Sequence, residues 1–93
     1  MLQIEQHNGE SKGYFRAVSN GVEAGRMTYS WTGENRIIID HTEVAPEFKG
    51  RNMGKEMLLA AVEFARKNNI KILPLCPFAK SIIQRNPELQ DVL

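Results

Sequence analysis

The stretch EFKGRNMGKE brings three cationic side chains and two glycines close together: Lys49, Arg51, Lys55, Gly50 and Gly54. The glycines allow the backbone to approach a ligand closely and to adopt conformations that other residues avoid. The stretch ends in an amphipathic segment, so it lies at a predicted helix N-terminus, where unpaired amides and the macrodipole favour negative charge. The combination predicts an anion site that suits a phosphate group. The alternative is a solvent-exposed loop with a few surface cations.

Three side chains outside this stretch have types suited to acid–base or nucleophilic chemistry: His41, Glu43 and Cys76. An imidazole accepts a proton near neutral pH, a carboxylate acts as a base directly or through water, and a thiol serves as a nucleophile or a proton donor. Each has a structural alternative: a histidine bonded at a strand end, an exposed carboxylate, and a small buried side chain. Asp40 is not expected to orient His41, because adjacent strand residues point to opposite faces. His7, beside a turn, is expected to be exposed and inert.

Turn residues divide the first half of the chain into four short segments with strand patterning. Asn8-Gly9 and Asn20-Gly21 each favour a two-residue hairpin turn, because both residue types accept positive φ. The predicted strands lie around Leu2 and Ile4, over Tyr14–Ser19, around Met27–Trp31 and over Arg36–Val44. They predict an antiparallel meander whose last strand, with three consecutive isoleucines, is buried on both faces. Met27, Tyr29 and Trp31 are expected in the core rather than in an aromatic binding site.

The second half of the chain changes to helical periodicity. Residues 53–68 repeat apolar side chains at i, i+3 and i+4, which predicts the main helix. Residues 71–75 predict a fifth strand, parallel to the fourth because a single helix crosses between them. Residues 79–85 predict a short second helix that ends before Pro87. The fold class is α+β, and residues 1–93 are expected to form a single domain.

This arrangement predicts where the chemically active side chains meet. Parallel pairing brings the carboxyl ends of the fourth and fifth strands together, and Cys76 ends the fifth strand. The odd positions of the fourth strand, Ile37, Ile39, His41 and Glu43, share one face unless a bulge intervenes. We therefore expect His41 and Cys76 to face the same cleft.

Composition and charge limit the classes of protein to which the chain can belong. Its 93 residues suit one small domain, and 12 basic against 11 acidic residues give a net charge of +1. This balance argues against a nucleic-acid partner, since binders of nucleic acid carry a strong basic excess. The single cysteine cannot form an internal disulfide, and neither a signal peptide nor a membrane-length apolar run is visible. We expect a cytoplasmic protein without a membrane partner or a metal site.

The segment VAPEFKGRNMGKEML resembles the acyl-CoA signature of the GNAT N-acetyltransferase superfamily. In that superfamily the amides of this loop hold the pyrophosphate of coenzyme A. Lys49 takes the leading basic position of the signature and Gly54 its final glycine, while Asn52 stands in place of a middle glycine. Asn tolerates a left-handed backbone better than most residues do. Val44 matches the strand-end position whose backbone meets the pantetheine arm.

The order of elements and the segment PLCPFAKSIIQRNPE are similar to the small stand-alone branch of this superfamily. The resemblance implies a GNAT-like fold: a four-stranded antiparallel meander, a helix, a fifth strand parallel to the fourth, and a short C-terminal helix. It also implies acetyl-CoA, or CoA, as cofactor. The residues expected to bind this cofactor are Val44, Lys49, Gly50, Arg51, Asn52, Met53, Gly54, Lys55, Cys76 and Phe78.

The resemblance further implies an acetyltransferase that moves the acetyl group of acetyl-CoA to an amine. The candidate catalytic residues are His41, Cys76 and Glu43. A non-catalytic acyl-CoA binding or sensing module is the alternative, because the helices that usually form the acceptor pocket are missing. A protein-interaction domain that uses an open sheet face is a third hypothesis. The acceptor stays open among polyamines, amino acids, protein lysines and N-termini, and we expect a monomer or a weak homodimer.

Overall fold

The structure is a computed structural model that describes residues 2–93. Its strands and helices are β1 (Leu2–Asn8), β2 (Lys12–Ser19), β3 (Val22–Trp31), β4 (Arg36–Val44), α1 (Met53–Asn68), β5 (Lys71–Pro74) and α2 (Pro77–Arg85). Two short 3₁₀ segments cover Pro46–Phe48 and Pro87–Val92. No helix within residues 2–93 is long and apolar enough to cross a membrane.

The strands form one sheet in the order β1-β2-β3-β4-β5. Strands β1 to β4 pair antiparallel and β5 pairs parallel to β4, so α1 is the crossover between the last two strands. This confirms the predicted α+β arrangement. Both helices pack on one face of the sheet, where their buried side chains join those of the strands in one cluster. The part of the chain that the structure describes supplies no helix for the opposite face, which we call the open face.

The two Asn-Gly dipeptides form different connections. Asn20-Gly21 has φ values of 51° and 81° and makes the predicted two-residue hairpin turn. The same prediction for Asn8-Gly9 is wrong. There the loop is longer, and the Gly9 amide donates to the Lys12 carbonyl at 2.9 Å. The longer loop also lets the Ser11 carbonyl accept a hydrogen bond from the Trp31 amide at 2.9 Å, which ties the loop to the end of β3.

Helix α1 packs on the sheet through an apolar stripe at helical spacing. Met57, Leu58 and Ala61 are fully buried, in the same cluster as Met27 and Tyr29 of β3. Burying a side chain such as Leu or Met stabilises the fold by about 1.5–3 kcal/mol, so this interface supplies much of the stability of the domain. The predicted core position is confirmed for Met27 and Tyr29, while Trp31 is partly buried against the same cluster.

Strand β4 is buried on one face only, which corrects the prediction of burial on both. Ile37 and Ile39 are fully buried beneath the helices. Ile38 is half-buried, and Asp40 and His41 are exposed. The reason is the missing helix layer on the open face, which leaves every second side chain of the central strands in contact with water.

A β-bulge at Asp40 reverses the alternation of side chains along β4. Tyr29 of β3 pairs with Ile39, and Thr28 pairs with His41, so Asp40 is an extra residue between two successive pairs. His41 therefore shares the open face with its partner Thr28, although Ile39 faces the helices. Before the bulge the odd-numbered side chains of β4 face the helices, and after it the even-numbered side chains do.

Strand β5 follows β4 for four residue pairs and then leaves it. The last pair is Ile39 with Pro74, and just beyond it the Cys76 amide donates to the Ile39 carbonyl at 3.1 Å. The chain then enters α2. Within residues 2–93, the edge of β4 from Asp40 to Val44 consequently has no strand neighbour on this side. The sheet is open at this point toward the helix layer.

Ionic hydrogen bonds fasten the C-terminal segment to α1 and β5. Arg66 donates to the Asp91 carboxylate at 3.0 and 2.8 Å and also to the Glu88 carbonyl. Lys71 donates to the Asp91 carbonyl at 2.8 Å. The Arg66 guanidinium lowers the pKa of Asp91 below its ordinary value of 3.8, because its hydrogen bonds favour the charged carboxylate. These contacts keep Leu89 in the core.

Replacing Asp91 with Asn should reduce stability in a pH-dependent way. Because the folded pKa of Asp91 lies below the unfolded one, its stabilisation is present above pH 3.8 and is lost as the pH falls through the folded value. We expect the native chain to melt a little higher than Asp91→Asn at neutral pH. The two Tm values should converge in acid.

The measurement is thermal unfolding, followed by circular dichroism, across a pH series. Glu88→Gln is the matched control, since Glu88 contributes its backbone carbonyl and not its carboxylate to Arg66. An equal loss in Glu88→Gln, or a Tm difference for Asp91→Asn that persists at the acid end, would contradict the role given to this pair.

Candidate active site

A groove of about 970 Å³ lies between the free edge of β4, the loop that follows β4, the start of α1 and one side of α2. Its walls are formed by Thr42, Glu43, Val44, Phe48, Lys49, Gly50, Asn52, Met53, Gly54, Lys55, Phe78, Ile82, Arg85 and Asn86. Eight of the ten residues predicted to bind the cofactor are in this set, and Arg51 and Cys76 are not. The structure therefore brings most of the predicted binding residues together, while their binding role stays a prediction.

The loop between β4 and α1 has the backbone of an anion site. Gly50 has φ of 84° and Asn52 has φ of 60° and ψ of 25°, so both adopt the left-handed conformation. Asn52 thus takes the conformation that a glycine would take in the signature. Its carbonyl accepts the first helical hydrogen bond, from the Glu56 amide at 3.0 Å, and its side chain caps nothing. The amides of the first turn of α1 are left for a ligand.

The charge around this helix start is mainly positive. Lys49, Lys55 and Arg85 line the groove, against Glu43 as its acidic side chain. Arg51 points instead over the ring of Phe48, with its guanidinium carbon 5.6 Å from the ring centroid. Cations from three different elements therefore surround the groove, and the dipole of α1 adds to their effect.

Phe78 of α2 packs directly on Gly54 of α1. A Cβ added to Gly54 would lie 2.4 Å from Cζ of the Phe78 ring, far inside van der Waals contact. The ring remains 40% exposed and forms part of the groove wall. Gly54 is therefore needed to let the beginnings of the two helices meet across the groove floor.

His41 and Glu43 lie on the open face, because the bulge at Asp40 reverses the phase of β4. The expectations that they share the face of Ile39, and that His41 and Cys76 face one cleft, are wrong for this reason. His41 Nε2 and Glu43 Oε1 are 3.0 Å apart, and the two side chains are 65% and 75% exposed. Glu43 also borders the groove, so the pair connects the open face with the groove mouth.

Asp40 also lies on the open face, since the bulge turns it to the same side as His41. The expectation that these neighbours point to opposite faces is therefore wrong. The Asp40 carboxylate accepts a hydrogen bond from the Ser30 hydroxyl at 2.7 Å. It is committed to β3, so Asp40 does not orient the imidazole, as the sequence predicted on other grounds.

Cys76 lies behind the groove and not on its surface. It is 5% exposed, and its thiol donates to the Thr42 hydroxyl at 3.4 Å. Thr42 itself lines the groove. The two side chains therefore form a short path from the buried thiol to the groove, on the opposite side of β4 from His41. Whether Cys76 takes part in chemistry stays a prediction.

Five wall residues were not predicted from the sequence: Thr42, Phe48, Ile82, Arg85 and Asn86. Thr42 faces the groove only because of the bulge. Phe48 lies inside the recognised signature, and its aromatic ring next to two cations was a usable signal. The residues of α2 follow from Phe78, because positions four and seven or eight residues later share a helical face.

The same architecture occurs in known proteins. A Staphylococcus aureus protein assigned to the GCN5-like N-acetyltransferases, known from an NMR solution structure, matches with a TM-score of 0.70 and 40% identity, over 95% of this chain and 85% of that chain. The aminoglycoside N-acetyltransferase AAC(6')-Iy, in complex with CoA, matches with a TM-score of 0.65 over 89% of this chain and 88% of that one. Its identity of 14% makes this a likeness of fold alone.

Sequence relatives are more distant. Protein NATD1 of Danio rerio is 22% identical over 89 residues, which cover 96% of this chain and 80% of that protein. Protein NATD1 of Xenopus tropicalis is 28% identical over 61 residues, or 66% of this chain, and the match spans only 56% of that relative. The family model described as GCN5-related N-acetyl-transferase matches residues 14–92. Since this match covers most of the chain, the chain belongs to the GCN5-related N-acetyltransferase family.

Proposed function

We propose that the chain binds acetyl-CoA in the groove and transfers its acetyl group to an amine. One observation carries the proposal: the free edge of β4 leads, through the loop of residues 45–52, to the uncapped N-terminus of α1. A strand edge offers amides and carbonyls to an extended chain of amide bonds, and an uncapped helix offers amides to a phosphate. Pantetheine and pyrophosphate occur in this order in coenzyme A.

The wall residues fit the parts of this cofactor. The pyrophosphate would lie on the amides from Asn52 to Lys55, with the Lys49 and Lys55 ammonium groups beside it. The pantetheine arm would run along β4 past Val44. Phe78 offers an apolar surface for the same arm. The related structure of AAC(6')-Iy contains CoA, which supports a cofactor of this kind for the shared fold.

Acetyl-CoA supplies an activated acetyl group as a thioester. In the overall reaction an ammonium and the thioester give an N-acetyl amide, free CoA thiol and one proton. The amine forms the new C–N bond as the C–S bond breaks, and the CoA sulfur keeps one of the two protons that the ammonium loses.

The chain's own residues would handle these protons on the two sides of β4. His41 on the open face would take a proton from the ammonium, with Glu43 holding the imidazole at 3.0 Å. Cys76 and Thr42 on the groove side would stand near the departing sulfur. In this proposal the acceptor would lie on the open face and the cofactor in the groove.

A non-catalytic acyl-CoA binding or sensing module is the second candidate function. The specific observation in its favour is the exposure of the candidate base, since the His41 side chain is 65% exposed and its partner Glu43 is 75% exposed. Both functions require the cofactor, so release of CoA in the presence of amines distinguishes them.

Acetyl-CoA binding should depend on the cations of the groove. We expect Lys55→Gln to weaken binding about tenfold, because a hydrogen bond to a charged group contributes roughly 1.5–3 kcal/mol. Isothermal titration measures the Kd. Lys67→Gln, at the other end of α1, is the matched control and should leave Kd unchanged. Absence of binding to the native chain at millimolar acetyl-CoA would refute the proposal, and equal losses in both variants would refute the assigned pyrophosphate position.

Gly54→Ala should weaken cofactor binding through Phe78. The new Cβ would displace the Phe78 ring, which can rotate away, while alanine favours the helix by about 1 kcal/mol. We therefore expect Tm to change little and Kd to rise. The double variant Gly54→Ala with Phe78→Ala should bind no more weakly than Phe78→Ala alone. Independent, additive losses in the double-mutant cycle would contradict this coupling.

Turnover should depend on the His41–Glu43 pair while binding does not. We expect His41→Gln to lower kcat by roughly 100-fold or more, the usual contribution of a positioned general base, with acetyl-CoA Kd unchanged. Free CoA thiol, measured with a chromogenic reagent across an amine panel, gives the rate. Glu34→Gln, in the turn between β3 and β4 and outside both cavities, is the control variant. Equal rates in the native chain and His41→Gln would exclude His41 as the base, and no turnover with any amine would favour the binding module.

A further inference from the structure

A second cavity, of about 660 Å³, lies on the open face, on the opposite side of the sheet from the groove. It extends across β1 to β4, and its polar walls include His7, Lys12, Tyr14, Ser30 and Asp40. The function proposed above uses none of these side chains. The cavity is therefore separate from the groove and shares only β4 with it.

The bulge brings one end of this cavity next to the proposed chemistry. Asp40 lines the cavity, and its side chain is held by the 2.7 Å hydrogen bond from Ser30. The next residue is His41, and Thr42 lines the groove. If the ammonium group of a ligand binds the Asp40 carboxylate, its nitrogen lies beside β4, the strand that separates the cavity from the groove.

The other end of the cavity carries a positive charge. Lys12 pairs across the sheet with Ser30, the residue that also holds Asp40. Neighbouring strands lie about 4.8 Å apart, and Asp40 is two residues beyond Ile38, the partner of Ser30, so the backbones of Lys12 and Asp40 are separated by roughly 12 Å. The cavity therefore has an acid at the end near His41 and a base at the far end.

These two charges differ from the arginines of β2 and β3 on the open face. Arg16 bonds to Glu5 and Glu23, and Arg26 bonds to Glu23. Within residues 2–93, neither Lys12 nor Asp40 has an ion-pair partner. Both side chains therefore remain available to a ligand in this cavity.

Two aromatic side chains, His7 and Tyr14, form part of the cavity wall. The Tyr29 side chain lies on the helix side of the sheet, where its hydroxyl donates to Asn8 at 2.8 Å and accepts from Gln6 at 3.0 Å. The His7 and Tyr14 rings stack with centroids 5.2 Å apart. These two rings form an aromatic wall on the β1 and β2 side of the cavity, next to Lys12.

We propose that this cavity binds the acceptor, and that the acceptor is a small amine with an anionic group at its far end, such as an amino acid acylated on its side-chain amine. Asp40 holds the ammonium, Lys12 holds the anionic group, and the aromatic wall contacts the chain between them. The identification as acceptor rests on the proposed transferase function. The binding of the ligand does not.

The direct test is a titration of ¹⁵N-labelled protein, without acetyl-CoA, with three ligands that share a six-carbon chain. These ligands are ε-aminocaproate, n-hexylamine and hexamethylenediamine, whose far ends are anionic, neutral and cationic. We expect amide shifts around Gly13, Thr28 and Ser30, and an affinity order that follows the far-end charge, with ε-aminocaproate about fivefold tighter than hexamethylenediamine. Shifts elsewhere, or none at millimolar ligand, overturn the proposal.

Two charge variants test which residue binds which end of the ligand. Asp40→Asn should weaken all three ligands about tenfold, because each loses its ionic partner for the ammonium. Lys12→Glu should reverse the preference, so that hexamethylenediamine binds tighter than ε-aminocaproate. Lys67→Glu is the control with the same charge change outside the cavity. An unchanged preference in Lys12→Glu, or an equal change in Lys67→Glu, overturns the assignment. Because Lys12 is exposed, this test stands even if Asp40→Asn fails to fold.

Turnover separates this inference from the proposed function. With acetyl-CoA present, CoA release should be fastest with ε-aminocaproate and should change preference in Lys12→Glu. If acetyl-CoA binds and amines are acetylated with a preference that Lys12→Glu leaves unchanged, the acceptor assignment is wrong and the transferase function stands. If acetyl-CoA does not bind while ε-aminocaproate still shifts the cavity amides, the transferase function is wrong and the ligand site stands.

Discussion

The early end of the β4–β5 ladder is the constraint on which the rest of the structure depends. The Cys76 amide makes the last hydrogen bond to β4, at Ile39. Pro74 and Pro77 on either side of it have no N–H, so neither residue can donate a further bond to β4. Pro77 instead begins α2 at the position where helices tolerate proline best. The two prolines thus end one element, start the next and leave the edge of β4 free.

The bulge at Asp40 then divides the chemistry between two faces. Without the extra residue, His41 and Cys76 would meet on one side and Thr42 would face water. With it, Thr42 and Cys76 lie on the helix side, and His41 lies on the open side with Asp40. A cofactor in the groove and an acceptor on the open face would then approach each other through the gap that β5 leaves. Bulges are frequent beside active sites because they re-aim side chains in this way.

The sequence predicted the order of elements well because each carries its own local signal. The helix period, the isoleucine run and the crossover rule were enough to derive the parallel fifth strand, and the signature located the loop. The bulge left no such signal. After Ile39 the chain reads Asp40-His41-Thr42-Glu43, and all four residues are polar. The pattern of apolar residues therefore does not show which of these side chains face the helices and which face the open side. The contact of Gly54 with Phe78 was equally hidden, because it joins residues that no local pattern relates.

The small size of the chain explains why an acceptor site would be built from strands. A domain of this length buries a modest core, and here both helices are needed on one face to bury it. The open face must then satisfy its own charges, which it does through ion pairs such as Arg16 with Glu5. An exposed charge without an ion-pair partner changes the free energy of folding little, because water solvates it. It still favours ligands of opposite charge over ligands of like charge. Selectivity on such a face depends on a few exposed side chains of rigid strands, and single substitutions can therefore change it without disturbing the fold.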